Sequence, residues 1–205
     1  MKLYYFSSGP LKVNTYFLVN EDTGDAVVID SGENYNLVKK TEKEFGFKTG
    51  AVLLTHAHFD HAGNAARLQR EGARVYVGEK DAEKLYNGGT LGEDFGRTFD
   101  SFKPDFTVKD GDKLSLFGID VEVIGTPGHT DGSVTFKVGR SLFTGDTLFF
   151  ESVGRTDFPT GNREDLISSV KKLFDLPGDY DVYPGHEEFT TLSHERRYNE
   201  FIDYD

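Results

Sequence analysis

The sequence predicts an α+β fold, a single domain over residues 1–205, in which strands outnumber the helices that cover them. Short apolar runs recur between turns rich in Gly, Asp and Asn, at the length of strands. Only a few segments carry apolar residues at helical spacing. Residues 2–6, 13–19 and 26–29, the last following the turn Glu21-Asp22-Thr23-Gly24-Asp25, open the chain as a meander. Residues 36–45 set Leu37, Val38, Thr41 and Phe45 on one side among Lys and Glu, the pattern of a surface helix. Residues 51–54 are apolar throughout and read as a buried strand, and residues 62–70 after them are Ala-rich and helix-favouring.

The second half repeats the grammar. Residues 75–77 form a short strand and 79–86 a brief helix, while 87–106 carry Gly88, Gly89, Gly92, Gly96 and Pro104 and no periodicity. A loop of that length is usually kept for substrate contact or is disordered. Residues 114–124 read as a hairpin turning at Gly118, and 134–138 with 141–143 as another pair. Residues 163–174 are the clearest amphipathic helix, with Leu166, Ile167, Val170, Leu173 and Phe174 on one face. A strand at 180–183 and a helix from about Ser193 complete the order.

Composition narrows the function. Lys plus Arg number 23 against 35 Asp plus Glu, a net charge of −12, which speaks against a nucleic-acid partner because phosphate contacts need a basic face. Cysteine is absent, so thiolate catalysis, disulfides and Cys-ligated metals are excluded and any ion must bind N and O. The first ten residues lack the apolar stretch of a signal peptide, and no run of about 18 apolar residues offers a membrane span. A cytoplasmic protein with no membrane partner is the expectation, its oligomeric state left open.

Three of the six histidines fall in His56-Ala57-His58-Phe59-Asp60-His61, directly after the buried strand at 51–54. A tight turn there aims four short N and O ligands into one small volume, and neutral imidazole with carboxylate suits zinc, manganese and iron. Three later segments run from an apolar strand through a Gly-bearing turn to a ligand: Gly125-Thr126-Pro127-Gly128-His129, Thr144-Gly145-Asp146 and Pro184-Gly185-His186. Five His and two Asp exceed one tetrahedral site and match two adjacent ions with one carboxylate bridging.

These motifs resemble those of the metallo-β-lactamase superfamily over nearly the whole chain. The resemblance implies a four-layer αββα sandwich, two mixed β-sheets flanked by helices, with the site at one edge between them. It also implies that His56, His58 and His129 hold one divalent ion and Asp60, His61 and His186 the other, with Asp146 bridging. The ions expected are zinc, with iron or manganese also accepted by such ligands. Asp30, closing the strand at 26–29, resembles the carboxylate that fixes the ligand loop from behind. The segments Gly145-Asp146-Thr147-Leu148-Phe149, Gly154-Arg155-Thr156-Asp157-Phe158-Pro159 and His194-Glu195-Arg196-Arg197-Tyr198-Asn199 look most like short glyoxalase II-type (hydroxyacylglutathione hydrolase-like) enzymes. Only 19 residues follow His186, fewer than the helical domain that holds glutathione in full-length glyoxalase II.

The expected substrate is therefore a small-molecule thioester such as S-lactoylglutathione, attacked by a hydroxide shared between the ions, with Asp60 as the catalytic residue that orients it and takes its proton. Arg155 is weighed as a substrate-carboxylate contact against a pair with Asp157. His194 is read as solvated or as docking the tail, and Phe149, Phe150, Phe158 and Tyr183 as core in preference to walls of the site. The alternatives are a persulfide dioxygenase with one iron on His56, His129 and Asp146, and a lactone hydrolase on the same fold.

Overall fold

The computed structural model describes residues 1–201. Strands β1 (Lys2–Ser8), β2 (Val13–Val19), β3 (Asp25–Ile29), β4 (Lys48–Leu54), β5 (Arg74–Gly78) and β6 (Phe106–Val108) form one sheet in chain order. The first two pairings are antiparallel and the rest parallel. In the second half, β7 (Lys113–Leu116), β8 (Ile119–Gly125), β9 (Val134–Val138) and β10 (Ser141–Gly145) follow one another antiparallel. A ribbon of β11 (Leu148–Phe149) and β12 (Ser152–Val153) stands apart, and β13 (Asp181–Pro184) and β14 (Thr190–Thr191) extend the second sheet, β13 lying parallel to β10. Six helices accompany the strands among the described residues: α1 (Tyr35–Phe45), α2 (Phe59–Ala62), α3 (Ala65–Arg70), α4 (Lys84–Asn87), α5 (Arg163–Phe174) and α6 (Leu192–Tyr198).

The period-two alternation of side chains along a strand builds the layers. In β2, Tyr16 and Leu18 point between the sheets, and Phe17 and Val19 point outward under α1 and α3; in β4, Ala51 and Leu53 point between and Val52 and Leu54 outward. Phe136, Phe143 and Val121 close the middle layer from the second sheet. The outer face of that sheet, Leu142 and Val182, packs under Val170, Leu173 and Phe174 of α5 and Leu192 of α6. Helices on both outer faces of two mixed sheets make the four-layer αββα sandwich that the sequence led us to expect.

Several local expectations change. Residues 62–70 are not one helix, because Gly63-Asn64 separates α2 from α3 and two of the ligand candidates sit inside α2. A Cβ at Gly63 would meet the backbone oxygens of Phe59 and Gly32 at 2.8 and 2.9 Å, so a side chain there is excluded by the packed 30–33 turn. The helix expected at 79–86 shrinks to α4, since Asp81 turns inward and its carboxylate is taken by other chain segments. Glu42, assigned to the wet face of α1, is buried and accepts a hydrogen bond from the Thr49 amide, whereas Phe45 is exposed and stacks on Tyr4.

The fold places the site by strand direction. Strands β3 and β4 run parallel in one sheet, and β8, β10 and β13 run in a common direction in the other. Asp30, His56, His129, Asp146 and His186 lie just beyond the C-terminal ends of these five strands. Each strand-turn-ligand segment therefore delivers its ligand to the same edge of the sandwich.

Candidate metal centre

Three groups of side chains bring one ligand atom each within 4.8 Å of one another: His56, His58 and His129; His56, His61 and Asp146; Asp60, His61 and His186. All seven ligand candidates converge. Asp146 stands between the two outer groups, with Oδ1 3.3 Å from His61 Nε2, and Oδ2 3.5 Å from His129 Nε2 and 3.6 Å from His186 Nε2. Asp60 Oδ2 lies 3.3 Å from His186 Nε2 and 3.6 Å from His61 Nε2.

Hydrogen bonds from behind set the tautomers. His61 Nδ1 donates to Asp30 Oδ2 at 2.8 Å, His129 Nδ1 to the Arg155 carbonyl at 2.8 Å and His186 Nδ1 to the Leu11 carbonyl at 2.9 Å. Thr55 Oγ1 donates to Asp30 Oδ2, which leaves its lone pair to accept from His56 Nδ1 at 3.1 Å. In these four rings Nδ1 is hydrogen-bonded behind the site and Nε2 faces it, the arrangement in which second partners orient metal-binding imidazoles. His58 turns Nδ1 inward, 3.0 Å from His56 Nε2 and 2.9 Å from His129 Nε2.

The donor set fits divalent ions. Three imidazole nitrogens with converging lone pairs at about 3 Å repel one another unless a cation lies among them, and a tetrahedral ion with bonds of about 2.0–2.1 Å would space them by roughly 3.3 Å. Asp146 Oδ1 is buried with no hydrogen-bond partner among the described residues, an orphan acceptor aimed into the same space. Gly185 presses against it: a Cβ there would run into Asp146 Oδ1 and lie 2.6 Å from His61 Cε1.

Electrostatics divides the centre. Burial drives His56 well below the usual imidazole range and His58 to about 3, so both are neutral ligands at physiological pH. Burial acts on His61 in the same sense, but Asp146, Asp60 and Asp30 outweigh it and hold the ring well above its ordinary value. Burial would raise the Asp60 and Asp146 carboxyls, yet His61 and His186 keep both below the ordinary carboxylate range. One corner is a three-imidazole set in which His56 and His58 are neutral, and the other interleaves acidic side chains with His61.

A cavity of about 960 Å³ opens on the centre. Its floor includes His58, Asp60, His129, Asp146 and His186, and five phenylalanines stand among its wall residues. Phe149, Phe150 and Phe158, expected in the core, line this cavity instead, while Tyr183 packs against the middle layer as expected. The unpatterned loop at 87–106 contributes Leu91 and Phe95. The Arg155 guanidinium forks onto Asp157 at 2.7 and 2.6 Å and lies over the Phe158 ring, so the side chain takes the paired alternative while its carbonyl holds His129. Gly154 makes that possible, since a Cβ there would overlap the Asp146 carbonyl oxygen. His194, half-buried, bonds Glu151 at 2.9 Å and stacks on Phe150, away from the ligands.

Sequence reasoning missed four supports. Thr55 carried a faint signal as the polar residue between an apolar strand and His56, but Asp81 and the Arg155 and Leu11 carbonyls carried none. Among the described residues no helix is long and apolar enough to cross a membrane.

Comparison with known proteins agrees with the geometry. A family profile described as the metallo-β-lactamase superfamily matches residues 8–186. A probable metallo-hydrolase of Streptococcus pyogenes is 38% identical over 98% of this chain and 90% of its own length. The hydroxyacylglutathione hydrolase GloC of Haemophilus influenzae is 37% identical over 90% of this chain and 91% of its own. Among solved structures, the BLEG-1 B3 metallo-β-lactamase superposes with a TM-score of 0.91 at 32% identity, covering 98% of this chain and 99% of that one. TTHA1623 in a di-iron-bound form gives 0.87 at 33%, covering 97% and 100%. With the fold, the ligand set and these likenesses together, the chain belongs to the metallo-β-lactamase superfamily.

Proposed function

We propose that this protein is a hydrolase dependent on two divalent metal ions, zinc in the first instance, that cleaves a small-molecule thioester such as S-lactoylglutathione. The observation that carries the proposal is the convergence of seven ligand atoms in overlapping groups around Asp146, more donors than one ion takes. His56, His58 and His129 would hold one ion, Asp60, His61 and His186 the other, and Asp146 would join them. Bound there, such ions supply an ionised water at neutral pH and an electrophile for a carbonyl, which dispenses with a Ser or Cys nucleophile.

The chain's own groups do the rest. Asp60 Oδ2, kept ionised by His61 and His186, orients the attacking water and accepts its proton. The walls of Phe149, Phe158 and Phe95 exclude bulk water and hold the acyl part of the substrate against the floor. A thiolate leaves with the electron pair of the broken C–S bond and needs little help from an acid. Arg155 meets a substrate carboxylate by exchanging Asp157 for it. The likeness to the Haemophilus influenzae hydroxyacylglutathione hydrolase supports the choice of thioester.

The test combines elemental analysis per chain with four assays on the metal-loaded protein: hydrolysis of S-lactoylglutathione, of a β-lactam and of a lactone, and oxygen uptake on glutathione persulfide. Two ions with thioester hydrolysis is the expected result. One iron per chain with oxygen uptake overturns it in favour of a dioxygenase, and lactone turnover without thioester turnover corrects the substrate.

A further inference from the structure

Asp81 belongs to none of the ligand motifs, yet it is fully buried, and its carboxylate lies behind one corner of the centre. Its Oδ2 accepts the Ala57 amide at 2.8 Å and the Thr130 hydroxyl at 2.9 Å. Ala57 stands between His56 and His58, and Thr130 directly follows His129. One carboxylate oxygen thus ties together the two backbone segments that carry all three histidines of the His56, His58 and His129 group, 71 residues apart from His58 to His129. The opposite oxygen, Oδ1, takes Lys84 Nζ at 2.5 Å, and the same ammonium reaches Asp131 at 2.5 Å and Thr160 at 3.0 Å.

The chemistry requires a carboxylate. Oδ2 faces an N–H and an O–H while Oδ1 faces an ammonium, so every neighbour donates; an amide in either orientation would set its NH₂ against a donor. A buried charge is retained only when paired and hydrogen-bonded, and Lys84 supplies the pair. The other corner is held differently. Asp30 bonds His61 directly and reaches His56 only through Thr55, and His186 is held by the Leu11 carbonyl.

We propose that Asp81 is the positioning residue of the three-histidine site. It fixes the spacing of His56, His58 and His129 before an ion arrives, and so sets the affinity of that site separately from its neighbour. The inference rests on the metal-binding reading above and adds to it a division of labour between two buried carboxylates, Asp81 for one ion and Asp30 for the junction with the other. Partners of this kind usually change metal affinity about 10–100-fold when removed.

The test uses the full chain and zinc alone, titrated in competition with a chromophoric chelator. In a His186→Ala background the remaining ion sits on the three-histidine group, and adding Asp81→Asn is expected to weaken it about 10–100-fold. In a His129→Ala background the remaining ion sits on the other group, and the same Asp81→Asn change is expected to leave its affinity within about twofold. Circular dichroism of each variant in chelator checks the fold. Should Asp81→Asn fail to fold, Thr130→Val, which removes one of the two contacts and strands no charge, is titrated in its place and is expected to shift affinity in the same selective direction. Equal weakening in both backgrounds, or none in either, overturns the proposal and leaves Asp81 a clamp of the fold. Failure of the unmutated chain to bind zinc at all is a different result, which sinks the metal-binding reading itself.

Discussion

Asp30 holds Nδ1 of His61 at 2.8 Å across 31 residues of chain, with both side chains buried. The backbone of Asp30 is in the left-handed region at φ 53°, which Asn also tolerates, so Asp30→Asn changes the chemistry of the contact and spares the turn. Its two oxygens face only donors, the Thr55 amide and hydroxyl and the His61 ring N–H. The expected outcome is a loss of about 10–100-fold in zinc affinity, read by competition titration. Unchanged affinity would show that His61 is oriented by packing alone.

Asp60→Asn separates chemistry from folding. The carboxylate is buried against His61 and His186, and the amide keeps its size. Thioester turnover should fall by about 10²–10⁴-fold, the range for loss of a general base, while the midpoint of thermal unfolding moves by only a few degrees. A mutant as active as the parent would remove the proton-accepting role from Asp60.

Gly185→Ala tests how closely the backbone must approach the centre. The added methyl would strike Asp146 Oδ1 and His61 Cε1, so the strand end has to shift and carry His186 with it. Elemental analysis after gel filtration should find fewer than two ions per chain. Full occupancy would mean that the centre tolerates a displacement that its contacts forbid.

Leu173→Ala addresses the opposite face. Leu173 is fully buried on the inner face of α5, in one cluster with Val182 and Leu192, and belongs to none of the candidate ligand groups. Denaturant unfolding should show about 2–5 kcal/mol of lost stability, with zinc stoichiometry unchanged. A loss of metal in that variant would join the outer helix layer to the site.

Chelation should destabilise the protein, because ions that bind only the folded chain add roughly 2.7 kcal/mol per site at a hundredfold excess over Kd. A thermal midpoint identical with and without EDTA would argue that the converging lone pairs hold no ion.

What the sequence alone determined about this protein was which side chains are candidate ligands and the order of the strands. His56 to His61 is a short-range pattern whose spacing is itself the geometry, and each later ligand follows an apolar strand and a Gly-bearing turn, so its place at a strand end is local information. Tertiary structure decided which ligands share a group, where Phe149 and Phe158 point, and what stands behind each imidazole. The Arg155 and Leu11 carbonyls hold His129 and His186 through backbone atoms that every residue possesses, and composition cannot mark them. Asp81 looks like any turn-forming Asp until Ala57 and Thr130, brought from different sheets, close around one of its oxygens. The physical reason is range: covalent spacing fixes contacts within a turn, while a buried carboxylate finds its partners only after two sheets have packed.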